Sequence, residues 1–320
     1  MADLHQALNA ALSSASDLNS SFQRLSARYR EEVAATAPIL QSAGDVVTYA
    51  AYRMPATFAA VRSALTEAAL LQPGFAPVSQ LDIGGGSGAA VWAAAEVFPS
   101  ISSVTVYEQV PEAIALGKKL AMEADAAAVR GARWVRGFID DLAGLEDVDL
   151  VTVSYVLSEL SGEQQQELVG LLARSRAVVL LIEPGTPKGY ERIVAARDAL
   201  VAAGRSVVAP CPQDGACPIP RGKDWCHFSS RVNRSSLHRQ TKGGVLGFED
   251  EKFSYVVTAS GANHPQNRVV RHPQSRKGMV SLRLCTGEGS LEERIVSKRQ
   301  GPLYKAARDA EWGDAWPPVD

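Results

Sequence analysis

The sequence predicts an α/β protein built on a doubly wound parallel sheet, and three observations carry that expectation. From residue 77 short apolar strand-like runs alternate with helix-like runs. A glycine-rich loop joins the first such strand to the first such helix. The second strand ends on an acid, Glu108, twenty residues beyond Gly88 at the end of that loop. With 320 residues, 46% of them hydrophobic, the chain can bury a sizeable core as two domains or one large one.

Residues 1–76 read as a helical region. Leu4, Leu8, Ala11 and Leu12, then Leu18, Phe22, Leu25, Tyr29 and Val33, recur mostly at spacings of three or four. Pro38 interrupts the pattern, a second stretch runs through Val46, Tyr49 and Arg53, and Pro55 suits the first turn of a third. Residues 77–209 form the expected α/β core, with strands at 78–83, 104–107, 133–135, 149–155 and 177–182. Helices are expected at 88–98 and 111–125, at a capping-box spacing Ser161-x-x-Gln164, and at 190–203 before Gly204. Residues 210–247 are rich in Cys, Pro, Gly and Arg and show no periodicity. In the last segment, 248–320, the runs 253–258 and 279–284 suggest an antiparallel pair at the sheet edge.

The loop Leu81-Asp82-Ile83-Gly84-Gly85-Gly86-Ser87-Gly88 lies where doubly wound sheets bind cofactors, at the carboxyl end of a strand. It also satisfies the loose dinucleotide fingerprint. Asp82 argues against that ligand, because a carboxylate there repels a pyrophosphate and suits an ammonium and a sulfonium. Glu108 can accept from two ribose hydroxyls. Asp140 and Asp141 are candidates for an adenine end or for helix capping, and Tyr155, after the fourth strand, is a further candidate cofactor contact. Loop, spaced acid and element order together resemble a class I S-adenosylmethionine-dependent methyltransferase. No catalytic base can be named. Enzymes of that fold that methylate amines commonly carry Asn/Asp-Pro-Pro-aromatic where this chain reads Ser154-Tyr155-Val156-Leu157.

All four cysteines, Cys211, Cys217, Cys226 and Cys285, follow residue 210. In an intracellular chain such thiols favour a metal over disulfides. Spacing alone leaves an iron–sulfur cluster, zinc and unliganded thiols open, with the lack of Cys-x-x-Cys pairs against a zinc ribbon.

Further runs name a family: Tyr52-Arg-Met-Pro-Ala-Thr57, Ile182-Glu-Pro-Gly-Thr-Pro187, Asp224-Trp-Cys-His-Phe228, Phe248-Glu-Asp-Glu-Lys-Phe-Ser-Tyr255, Tyr304-Lys-Ala-Ala-Arg308 and Trp312-Gly-Asp-Ala-Trp316. In this order they resemble the ribosomal small-subunit methyltransferase-like family over nearly the whole chain. The resemblance implies a [4Fe–4S] cluster on Cys211, Cys217, Cys226 and Cys285. It also implies association with the small ribosomal subunit during assembly, with rRNA as ligand. It leaves open an rRNA methyltransferase and a non-catalytic ribosome-binding factor with a structural cluster or zinc. A dinucleotide-dependent iron–sulfur oxidoreductase is a distant third.

Charge bears on the partner. Residues 1–204 carry 15 basic and 23 acidic side chains, and residues 205–320 carry 18 and 12, a net of −8 against +6. Residues 221–277 hold 11 basic side chains against four acids. Arg231, Arg234, His238 and Lys242, with Arg268 and Arg271 opposite them, are therefore the expected rRNA contacts. The longest apolar stretches, such as 177–182, are far below the ~20 residues of a membrane span. No Lys or Arg precedes Arg24, so no targeting start is read. The expectation is a bacterial cytoplasmic protein, monomeric off the ribosome.

Overall fold

The computed structural model describes residues 2–12, 43–142, 145, 147–233 and 247–318. The expected helical run 18–33 lies outside the described residues, as do Arg234, His238 and Lys242. The N-terminal region supplies α1 (Ala2–Leu12), α2 (Ala43–Tyr52) and α3 (Met54–Leu71), the last with Pro55 in its first turn as expected. Then follow β1 (Ser79–Ile83), α4 (Ala89–Val97), β2 (Ser103–Glu108), α5 (Pro111–Ala121), the short α6 (Ala127–Arg130), β3 (Arg133–Arg136) and β4 (Leu150–Ser154). Next come α7 (Gly162–Arg174), β5 (Val178–Pro184), α8 (Pro187–Ala202) and β6 (Ser206–Ala209). Strands β7 (Phe228–Asn233), β8 (Phe248–Ala259), β9 (Asn267–Val269), β10 (Gln274–Arg276), β11 (Met279–Thr286) and β12 (Leu291–Ser297) lead to α9 (Pro302–Asp309) and β13 (Ala315–Trp316).

The main sheet has the order β3-β2-β1-β4-β5-β8-β6, with β7 pairing β8. Strands β1 to β5 are parallel, and β8 runs antiparallel to β5, β6 and β7. Chain order reverses between β1 and β4, which is where open α/β sheets place ligands. Both faces are covered. On one, Phe58, Val61 and Leu65 of α3 pack with Val91 of α4 and Leu116 of α5. On the other, Leu168 and Leu172 of α7 pack with Ile193 and Leu200 of α8 against Leu81 and Ile83. Burial on two sides explains why these strands read as continuous apolar runs rather than alternating ones.

One expectation is corrected. The runs 253–258 and 279–284 do not pair with each other. The first is the inner half of β8, threaded between β5 and β6, with Ile182 opposite Tyr255 and Val179 opposite Thr258. Its outer half, 248–252, is charged and pairs with β7 instead. The apolar stretch Phe253 to Val257 can be buried on two sides, whereas Glu249, Asp250 and Glu251 cannot. The second run is β11, the centre of a separate five-stranded sheet that also contains β9, β10, β12 and β13. That sheet has its own core of Val269, Val280, Leu282, Leu284, Val296 and Trp316, covered by α9 through Ala307.

Local signals explain the helix ends. Ser161 accepts the Gln164 N–H, and the Gln164 side chain reaches back to the Ser161 N–H, as the spacing predicts. Helix α8 starts three residues earlier than expected. Thr186 caps it by accepting the Gly189 N–H at 3.1 Å, and Pro187 occupies the first turn. Gly189 is there for space: a Cβ would meet the Pro184 carbonyl oxygen at 2.0 Å. Gly189→Ala should therefore lower stability by about 1–3 kcal/mol, read by denaturant unfolding. An unchanged midpoint would show that the strand end yields easily. Among the described residues no helix is long and apolar enough to cross a membrane.

Candidate cofactor pocket and four-cysteine cavity

The glycine loop folds back onto β2. Gly84 and Gly85 donate to the Tyr107 carbonyl, and Gly86 N–H donates to Glu108 Oε2 at 2.8 Å. Gly84, Gly86 and Gly88 have positive φ, and a Cβ on Gly84 would meet Val156 at 2.5 Å. Gly85 lies so close to Asp82 that a Cβ would meet Oδ2 at 2.5 Å. Glu108 also accepts the Val110 N–H through Oε1, so one oxygen braces the glycine loop and the other the start of α5.

A pocket opens beside this loop, lined by Asp82, Gly84 to Ser87, Ala89, Ala90 and Ser154, with Tyr49, Met54 and Thr57 of α2 and α3 as its other wall. Asp82 is 1% exposed. Its Oδ1 accepts the Thr152 hydroxyl at 2.7 Å, and Thr152 in turn accepts from Gln80. Among the described residues its Oδ2 has no hydrogen-bond partner, nor has the Ser154 hydroxyl. Burial pushes Asp82 up to about 7, against the Thr152 hydrogen bond. An unpartnered, buried carboxylate oxygen beside the loop fits a cationic ligand group.

Other expected contacts lie elsewhere. Asp140 is exposed and accepts from Gln164 Nε2, and Asp141 accepts the Phe138 N–H as a cap. Neither lines the pocket, so the capping reading suits Asp141. Tyr155 is buried with φ +62°, and its hydroxyl donates to Glu251 Oε1 at 2.9 Å. Arg53 forms two hydrogen bonds with Glu251 and sits 5.0 Å from the Tyr155 ring centre. Arg53, expected only as part of a helical stretch, and Glu251 thus tie α3's start to β8 and hold the Tyr155 hydroxyl. Both lie inside family-like runs, so position, not spacing, was the missed signal. Burial pushes Glu159 up to about 8, assisted by the charges of Glu108 and Glu183, so acids gather at the carboxyl ends of β2, β4 and β5.

The four cysteines converge. Cys211, Cys217, Cys226 and Cys285 line one cavity together with Tyr190, Arg197, Ile219, Phe228, Tyr255 and Arg268. No helix or strand is formed between β6 and β7, so the segment carrying three of them leans on side-chain contacts. Tyr190 hydroxyl lies 3.3 Å from Cys217 Sγ, Arg197 donates to the Gln213 and Gly215 carbonyls, and Trp225 donates to the Gly185 carbonyl. Burial pushes the thiols of Cys211, Cys226 and Cys285 up, Cys285 to about 12, and their mutual repulsion adds to it. Among the described residues no three His, Cys, Asp or Glu are placed to hold a single metal ion. His227 is buried, stacks on Trp225 and meets Trp312 edge-on.

Arg268 is a second correction. It is 1% exposed, ion-paired to Glu67 of α3, and bonded to the Pro210 and Gly313 carbonyls. It sits opposite Cys285 in the β9–β11 register, so it serves the thiol cavity and is closed to rRNA. Among the described residues its Nη2 and the Nε of Arg197 have no hydrogen-bond partner, although Arg197 pairs with Asp198 and interacts with the Cys211 thiol. Arg271 is partly exposed and pairs with Asp224, while Arg231 is exposed and pairs with Asp250.

Strand order, the antiparallel strand between β5 and β6, and a glycine loop with a buried acid define an α/β protein of the methyltransferase type. The chain belongs to the Rsm22 family: residues 43–317 match the family described as mitochondrial small ribosomal subunit Rsm22. It is 29% identical to human "Ribosome assembly protein METTL17, mitochondrial", over 86% of this chain and 63% of that one. It is 27% identical to "Rsm22-cox11 tandem protein 2, mitochondrial" of Schizosaccharomyces pombe, over 92% of this chain and 45% of that one. The chain thus spans about half to two thirds of these relatives. A SAM-dependent methyltransferase from Aquifex aeolicus superposes with TM-score 0.41 and 12% identity, covering 68% of this chain and 98% of that one. That likeness is loose, and the fold assignment rests on the strand order.

Proposed function

We propose that this chain is a small-ribosomal-subunit assembly factor that binds rRNA on a methyltransferase scaffold, with S-adenosylmethionine at the glycine loop and a [4Fe–4S] cluster in the cysteine cavity. One observation carries the cluster reading: four thiols share a cavity with two buried guanidinium donors, on Arg197 and Arg268, that have no partner. Both cations are paired elsewhere, Arg197 with Asp198 and Arg268 with Glu67, but a buried N–H without an acceptor is costly, and a thiolate-bound cluster brings sulfur acceptors to it. Zinc would use the same four thiolates, and metal analysis of the purified protein distinguishes it. Once bound, the cluster would cross-link the irregular segment after β6 to β11. The family's description as a small ribosomal subunit family and the human relative's name as a ribosome assembly protein support partnership with the small subunit.

In the pocket, Asp82 Oδ2 would take the ammonium of S-adenosylmethionine and Glu108 its ribose, with Gly84, Gly85, Gly86 and Gly88 giving close backbone approach. The cofactor would supply an activated methyl group. The chain's own residues favour a binding platform over methyl transfer, because Ser154-Tyr155-Val156-Leu157 stands where amine-methylating enzymes carry their acceptor motif and Tyr155 is committed to Glu251. The test is anaerobic purification followed by iron, sulfide and small-subunit binding assays. About four irons and four sulfides per chain and co-sedimentation with small subunits are expected. Stoichiometric zinc with no visible absorbance would overturn the cluster reading.

A further inference from the structure

The second sheet separates its charges along its length. At one end the β10–β11 turn carries Arg276 and Lys277, and the residues following β12 are Lys298 and Arg299. The register brings these together: Arg276 pairs with Met279, Met279 with Ser297, and the Lys298 N–H donates to the Gly278 carbonyl at 2.8 Å. Toward the other end lie Glu288, Glu292 and Glu293, the last reaching back along the outward face to accept the Ser281 hydroxyl at 2.8 Å. The four cations are exposed and form no ion pair among the described residues, whereas Arg294 near the acidic end pairs with Glu292.

Apolar surface lies beside them. Residues 280, 282 and 284 of β11 face the core, so Met279, Ser281 and Arg283 face outward, as does Ile295 opposite Ser281. Met279 is 43% and Ile295 62% exposed, two of the few large hydrophobics left open. They are diagonal neighbours on one sheet face, close enough to make one patch. The backbone beneath is fixed by Gly278 at φ +77° and by the Ser297–Gln300 capping box. Cations on a rigid frame next to a small apolar face match a nucleic-acid strand, with phosphates on the cations and sugar or base on the apolar side chains.

We infer that this corner, Arg276, Lys277, Lys298 and Arg299 with Met279 and Ile295, is a docking surface for an rRNA strand. It is distinct from the cysteine cavity, and it rests on the proposed small-subunit function. An acidic protein would satisfy the cations too, but the shallow face, with only Met279 and Ile295 apolar, lacks the apolar core of a protein interface.

The experiment compares the full-length protein with a Lys277→Glu/Lys298→Glu/Arg299→Glu variant and a charge-matched Lys118→Glu/Arg174→Glu/Arg176→Glu control, all exposed positions. Each is titrated against purified small subunits and against naked small-subunit rRNA over a salt series, after matching their melting curves. The corner variant should bind both at least about tenfold more weakly, with the slope of log affinity against log salt reduced by about two for three lost single-strand phosphate contacts. The control should keep the wild-type slope. Equal loss in the control would show a net-charge effect and overturn the inference. So would an unchanged corner variant, or one that loses subunits but keeps naked rRNA, which would place a ribosomal protein here. Failure of the wild type to bind either would remove the proposed function itself.

Discussion

Serine at Cys226 or Cys285 should leave anaerobically purified protein nearly colourless and cut its iron content by most of its value. In the proposed cluster these two thiols would join the segment after β6 to β11, beside which Ile219, Tyr190 and Val194 form only a small apolar cluster. Metal binding in closed thiolate sites contributes of the order of 10 kcal/mol to folding, so losing a ligand should also expose residues 210–227 to protease. Arg268→Gln separates the ligand role from the charge role. It keeps four thiols and removes a buried cation, so the protein should still load iron but lose it faster in air. A variant that holds iron as long as wild type would mean that Arg268 serves Glu67 and the Pro210 carbonyl alone.

Replacing Asp82 should act on both binding and stability, with opposite signs. Asp82→Ala removes a charge-assisted contact worth roughly 1.5–3 kcal/mol, so calorimetry should show S-adenosylmethionine binding about ten- to a hundredfold more weakly. Since burial pushes Asp82 up to about 7, binding a cation must first release its proton. Wild-type affinity should therefore fall as pH drops below about 7, and that dependence should vanish in the variant. For the free protein the raised value means that folding favours the protonated acid. The associated stability is full below about pH 4 and is lost as pH rises through about 7. Asp82→Asn should then stabilise the cofactor-free protein at pH 8 relative to wild type, with a smaller difference at pH 5. A variant less stable at pH 8 would mean that the carboxylate is compensated by groups outside this pocket.

Much of the α/β core was legible because its strands obey simple rules. Apolar runs of strand length, Pro at helix starts, and the Ser161–Gln164 spacing each have one local meaning, and the structure honours them. The glycine loop and Asp82 were legible for the same reason, since strand, loop and helix are contiguous. Where the reading failed, the deciding contact was distant in sequence. Nothing near residue 253 says that β8 enters between β5 and β6, because that choice depends on which strand edge is left open. Arg268 looked like a member of a basic window. Only the register opposite Cys285, and Glu67 some two hundred residues away, turn it inward. Tyr155 looked available for a cofactor until Glu251, from another strand, took its hydroxyl.

The central claim is that the chain binds small-subunit rRNA as an assembly factor rather than as a methylating enzyme. Crosslinking the protein to RNA in cells, with mapping of methylated rRNA nucleotides in a deletion strain, tests it most directly. The expected result is crosslinks concentrated in small-subunit rRNA, immature subunits accumulating on deletion, and an unchanged set of methylated nucleotides. Loss of one methylated nucleotide next to a crosslink would contradict the platform reading, and absence of small-subunit crosslinks would contradict the function itself.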